Sequence, residues 1–162
     1  MDTAIWAALI AAVASIAGIL IQKKVRDRSK KEADPIDVAL NQVKGGIDKP
    51  AANQQVGRTI HCTGWARDLE AGLHLWLAVE SGGFVWFKEN EIYVDGNGRW
   101  EANVYEDGAT QEFVISLFVA NGDAHKQIHD WFQIGFGTGE YPELKRVAGT
   151  IRLDRVDGLR LS

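Results

Sequence analysis

From Gly57 onward, apolar and polar residues alternate with a period of two. In GRTIHCTGWARD, Ile60, Cys62, Gly64 and Ala66 share one face, and Thr59, His61, Thr63 and Trp65 share the other. In LHLWLAVESGG, Leu73, Leu75, Leu77 and Val79 oppose His74, Trp76, Ala78 and Glu80. Successive side chains of an extended chain point to opposite faces, so both stretches predict strands with distinct faces. FVWF (84–87), EIYV (91–94), RWEANVY (99–105), EFVISLFVA (112–120) and GTIRLDR (149–155) predict further strands, each bounded by Gly, Asn or Asp. Asp95-Gly96-Asn97-Gly98 predicts a hairpin turn, because these residue types tolerate positive φ.

The alternation breaks between the last two strands. There Asp123 predicts the cap of a short helix carrying Ala124, Ile128, Trp131 and Phe132, after which Gly135, Gly137 and Gly139 predict a loosened chain. Seven short strands with one helical crossover predict an all-β fold, an antiparallel sandwich, with a small β-barrel as the alternative. Upstream, EADPIDVALNQVKGG predicts a second short helix. Asp34 caps it, Pro35 suits its first position, Ile36, Ala39, Leu40 and Val43 form its apolar stripe, and Gly45 or Gly46 ends it. IDKPAANQQVGR has no period and reads as linker, so the folded domain is expected over 57–162.

The opening of the chain has a different pattern. Thr3 to Ile21 is an uncharged run of 19 residues with only Thr3 and Ser15 polar. As a helix it rises about 28 Å, which matches a bilayer core of roughly 30 Å. Only Asp2 precedes it, and Ala-Val-Ala at 12–14 falls mid-run, so a transmembrane helix over 1–22 is expected rather than a cleaved signal. Lys23, Lys24, Arg26, Arg28, Lys30 and Lys31 crowd its C-terminal flank. Positive flanks stay cytoplasmic, which predicts a cytoplasmic folded domain and a basic segment, within 23–56, lying against anionic headgroups. Ala7, Ala11, Ala14 and Gly18 share one helical stripe, the small-residue pattern by which helices associate in lipid, so a homo-oligomer through the anchor is expected.

Charge and motifs narrow the function. Residues 32–162 carry 12 basic against 20 acidic side chains, a formal −8, which repels nucleic acid. The lone Cys62 excludes an internal disulfide and fits a reducing compartment. No Gly-x-Ser-x-Gly, phosphate loop or dinucleotide fingerprint occurs, and Gly135-x-Gly137-x-Gly139 follows a helix rather than a strand. A non-enzyme without cofactor is the expectation. His125 and His129 have the i, i+4 spacing that can share a metal, with Asp130, His61 and Cys62 as further donors. Nothing in the sequence brings these together, so no metal site is assigned. Trp65, Trp76 and Trp86, with Trp100 and Trp131, exceed what a small core needs: they read first as filling the other side of the sandwich, and otherwise the first three are the candidate surface for a protein or small-molecule ligand.

LHLWLAVESGGFVWF, DGNGRWEANV, EFVISLFVA and the helix reaching Trp131 together resemble an immunoglobulin-like sandwich module found on bacterial membrane and signalling proteins, over about residues 57–161. The resemblance implies a fold and brings no catalytic residues. In layout alone the chain is similar to small membrane-anchored bacterial defence effectors, which join membrane helices to a β-rich sensor domain. The expected function is a single-pass membrane-anchored, non-catalytic sensor or adaptor domain in the cytoplasm. One alternative is a membrane effector that oligomerises through its anchor on ligand sensing; another, with reversed topology, is an extracellular carbohydrate-binding domain. A cysteine reporter appended to the C-terminal tail should stay shielded from a membrane-impermeant reagent in intact cells. Labelling without permeabilisation would reverse the orientation.

Overall fold

A computed structural model of the chain describes residues 35–108 and 112–162. The apolar run, its stripe of Ala7, Ala11, Ala14 and Gly18, the basic flank from Lys23 to Lys31, and Asp34 lie outside these residues. Among the described residues, no helix is long and apolar enough to cross a membrane.

In chain order the elements are α1 (Pro35–Leu40), β1 (Lys44–Lys49), β2 (Gln55–Val56), β3 (Thr59–Arg67), β4 (His74–Ser81), β5 (Phe84–Ile92), β6 (Arg99–Tyr105), β7 (Phe113–Ala120), α2 (Gly122–Thr138) and β8 (Thr150–Leu161). The fold is dominated by strands, as the alternation predicts. A three-stranded sheet has the order β1-β3-β6, and a five-stranded sheet has the order β2-β8-β7-β4-β5. Neighbours are antiparallel except β2 and β8, which run parallel.

The buried side of β3 is the one its alternation marks: Ile60, Cys62 and Ala66 are buried. They meet Leu75, Leu77 and Val79 of β4, and Ile115, Leu117 and Val119 of β7, in one apolar core shared by the two sheets. Ala39, Leu40 and Val43 join it from α1 and the turn after it, whereas Ile36 of the same stripe is 45% exposed. Burial pushes the Cys62 thiol up to about 12, so it is a neutral, inert core group at physiological pH.

Strand β4 is buried on both of its faces. Trp76 and Ala78, opposite the aliphatic residues, are fully buried in a second core with Phe87 of β5 and Ala124, Ile128, Trp131 and Phe132 of α2. Helix α2 therefore forms a third layer on the outer face of the larger sheet. It is longer than its glycines suggest, running through Gly135 and Gly137 to Thr138. Its cap is Asn121 rather than Asp123: the Asn121 side chain accepts from the Ala124 N–H at 3.0 Å.

Four other expectations change. The compact unit spans Pro35–Ser162 and so begins before Gly57. Its extra strand, β1, lies where the sequence suggested a helix end and linker, and Gly45 and Gly46 pair with Ala66 and Trp65 of β3. The Ile47 N–H donates to Asp154 Oδ2 at 2.8 Å, tying this strand to β8 of the other sheet. FVWF and the start of EIYV form one strand, β5. Asp95 to Gly98 does make a tight turn, with Asp95 Oδ1 accepting from the Asn97 and Arg99 N–H groups at 2.8 Å. Those two bonds hold the Asp95 carboxyl below its ordinary range. Yet β5 and β6 belong to different sheets, so the turn carries the chain from one sheet to the other rather than closing a hairpin.

Gly64 shows how closely the small sheet is packed. It pairs with Trp100, and a Cβ at this position would lie 2.1 Å from the Gly46 carbonyl oxygen and 2.3 Å from the Trp100 ring. Gly64→Ala should therefore cost about 1–3 kcal/mol, read as a lower urea midpoint with an unchanged slope. An unchanged midpoint would show that β1 and Trp100 are not seated against β3 in this way.

Candidate functional site

Two groupings of side chains surround helix α2, and both depend on the face of the larger sheet that it covers. Ala124, Ile128, Trp131, Phe132 and Gly135 recur at helical spacing and make up its buried stripe. Trp76 lies beneath, its ring 6.0 Å from Phe132 and edge-on to Phe87 at 6.4 Å. After α2 the chain folds back beside the helix. The Trp131 indole N–H donates to the Pro142 carbonyl at 2.7 Å, and the Val85 N–H donates to the Leu144 carbonyl at 2.7 Å, which fastens the returning segment to the edge of β5. Tyr141 packs on Trp131 with ring centres 4.8 Å apart.

This packing leaves a cleft of about 800 Å³. Trp86, Phe87, Phe132 and Tyr141 give it an aromatic side, while Asn90, Asn103 and Asp107 are among its polar groups. Lys88 spans the gap between β5 and β6, donating to the Tyr105 carbonyl at 3.0 Å and to Glu106 Oε2 at 2.9 Å. An apolar wall with a few convergent polar groups is the usual composition of a small-molecule site.

Of the three tryptophans singled out from sequence, only Trp86 lines this cleft. Trp76 is fully buried and unavailable to a ligand. Trp65 lies on the smaller sheet, against Gly46, with the Arg67 guanidinium 5.5 Å from its ring centre. The three do not form one surface. Trp131, Phe132 and Tyr141 were missed as lining residues because the helix pattern marks the first two as core and the third follows in an irregular segment.

The second grouping is polar. In the register of β4 and β5, Trp76 pairs with Glu91, so His74, Trp76 and Glu91 share the face that α2 covers. His74 Nδ1 and Glu91 Oε1 share a hydrogen bond of 2.6 Å. From the first turns of α2, His125 stacks on His74 with ring centres 3.6 Å apart and 20° between planes, and His129 meets His125 edge-on at 4.5 Å. One donor atom from each of His74, Glu91 and His125 lies within 4.8 Å of the other two. His125 Nδ1 is buried without a hydrogen-bond partner. Burial, reinforced by the charges of His74 and His129 and opposed by Glu91, holds the His125 imidazole below its ordinary pKa and so favours the neutral ring.

The structure thus brings His125 and His129 together, but with His74 and Glu91 instead of the other donors weighed from sequence. Cys62 is buried in the intersheet core, and His61 faces Asn103 at 3.2 Å on the smaller sheet. Asp130 pairs with Lys126 at the exposed surface. The available signal was that His74 sits two residues before Trp76, on the face a helix must cover. No protein family matches the chain, and no curated protein shows detectable similarity to it.

Gly135 explains how a helix with internal glycines serves the cleft. A Cβ there would lie 2.1 Å from the Tyr141 ring. Alanine is the better helix former by about 1 kcal/mol, yet Gly135→Ala should destabilise by about 1–3 kcal/mol, because Tyr141 must be displaced. In a Tyr141→Ala background the same change should become stabilising. A double-mutant cycle read by chemical unfolding checks this.

Proposed function

We propose that this chain is a non-catalytic binding module that takes a small organic ligand in the cleft beside α2, and that its N-terminal apolar run holds it on a membrane with the acidic unit on the cytoplasmic side. The observation that carries this reading is the lining of the cleft. Trp86, Phe87, Phe132 and Tyr141 suit a flat apolar body, and Lys88, Asn90, Asn103 and Asp107 suit a polar edge. The anchor, its orientation and its self-association rest on the uncharged run, the basic flank and the small-residue stripe of residues 1–31. Two mainly antiparallel sheets around one core support the immunoglobulin-like assignment of the fold, to which α2 and the parallel β2–β8 pair are additions.

In this scheme the ligand is bound and released unchanged, and occupancy of the cleft is the signal that a sensor or adaptor passes on. An effector that clusters through its anchor would use the same cleft as its input. Saturation-transfer NMR on the full chain in detergent, with a panel of small aromatic amides and of disaccharides, tests the site. Aromatic amides should show transfer in the wild type and lose it in Trp86→Ala, and should be recovered intact. Transfer confined to disaccharides would favour the extracellular sugar-binding reading. Equal transfer in wild type and Trp86→Ala would remove the cleft from the account.

A further inference from the structure

The geometry points to a site for a divalent transition-metal ion, Zn²⁺ foremost, held by His74, Glu91 and His125 where β4, β5 and α2 meet. The inference is independent of what occupies the cleft. Three donors from three separate elements converge, each offering an atom within 4.8 Å of the other two. Ligands bound to one tetrahedral Zn²⁺ at ~2.0–2.2 Å sit roughly 3.3–3.6 Å apart, so the donors draw closer on binding, and the stacked His74 and His125 rings turn until a ring-plane lone pair of each faces the ion. His74 Nδ1 and Glu91 Oε1 are already in contact at 2.6 Å, and they would part slightly as the ion replaces the proton between them, which leaves to solvent.

Each donor stands on regular structure. His74 opens β4 and Glu91 stands next to the last residue of β5. The His125 N–H is fixed by the Asn121 carbonyl at 2.8 Å in the first turn of α2. A buried polar atom without a partner is costly, and His125 Nδ1 is such an atom at this cluster. Two imidazoles and one carboxylate suit Zn²⁺ and its neighbours in the first transition row, rather than Ca²⁺ or Mg²⁺, which prefer all-oxygen sets. His129, one turn along the same helix, or a water completes the coordination.

The ion would clamp the start of α2 to the edge of the larger sheet. Because Trp131 and Phe132 further along that helix line the cleft, metal occupancy would also steady the cleft wall.

The test uses the full chain in detergent, stripped of metal with EDTA and titrated with Co²⁺ and then Zn²⁺. One equivalent of Co²⁺ should produce visible d–d absorption that Zn²⁺ abolishes, and Zn²⁺ should raise the melting temperature until EDTA reverses it. His74→Ala, Glu91→Gln and His125→Ala should each weaken Zn²⁺ binding by about 10–100-fold or more, while His61→Ala leaves it unchanged. Glu91→Gln is isosteric, so its effect is measurable even where loss of an imidazole unfolds the chain. No stoichiometric Co²⁺ spectrum would overturn the site. Binding that survives His74→Ala and Glu91→Gln but not His129→Ala would also overturn it, since that is an ordinary helical histidine pair.

Discussion

Trp76 is fully buried on the side of β4 that faces away from the intersheet core, and helix α2 is what buries it. A strand packed on one face alone leaves its alternate side chains to water. On β4 those alternates include an indole and Ala78, and removing a buried Trp side chain costs about 3–5 kcal/mol. Covering this face takes a helix long enough to reach from Ala124 to Phe132 and a return segment that brings the chain back to β8. The bonds from Trp131 to Pro142 and from Val85 to Leu144 hold that return in place. The third layer, the route into β8 and the walls of the cleft all follow from this one burial.

Both candidate sites are consequences of the same layering. Toward the start of β4, the face shared with Trp76 presents His74 and Glu91 to the first turns of α2. Toward the other end, Trp86 and Phe87 of β5 meet Trp131, Phe132 and Tyr141 across the cleft. Between the sheet and its surface, Ser116 is the one buried polar residue among those described. It donates to Glu80, which also pairs with Arg152 at 2.9 Å. Lys88–Glu106 and His74–Glu91 are also partly shielded. The pairs Arg99–Asp48, Lys126–Asp130, Arg155–Asp157 and Arg160–Glu112 are largely exposed, and pairs of that exposed kind contribute at most about 1 kcal/mol each. Cohesion therefore comes from the two apolar cores rather than from surface charge.

What was legible in the sequence was local. The period of two in β3 and β4, the turn at Asp95 and the helical crossover before the last strand all depend on residues close together in the chain. What was hidden depends on distant partners. The KGGIDK segment of β1 has no alternation to reveal it, and is a strand because β3 and Asp154 supply its hydrogen bonds. The glycine at 135 inside helix α2 makes room for a partner outside the helix, since Tyr141 fills the space a Cβ would occupy. Whether Trp76 is core or surface cannot be read locally, because the helix that covers it lies more than forty positions downstream. For the same reason the histidine pair on α2 was visible, whereas His74 and Glu91, placed beside it by strand register, were not.

The claim that α2 packs directly on Trp76 is tested by a double-mutant cycle of Trp76→Ala and Phe132→Ala, followed by chemical unfolding. Side chains in contact through a shared core are coupled, and an aromatic pair of this kind should give an interaction energy of about 0.5–1.5 kcal/mol. Strictly additive losses would contradict the account, because they would mean that helix and strand do not share the second core.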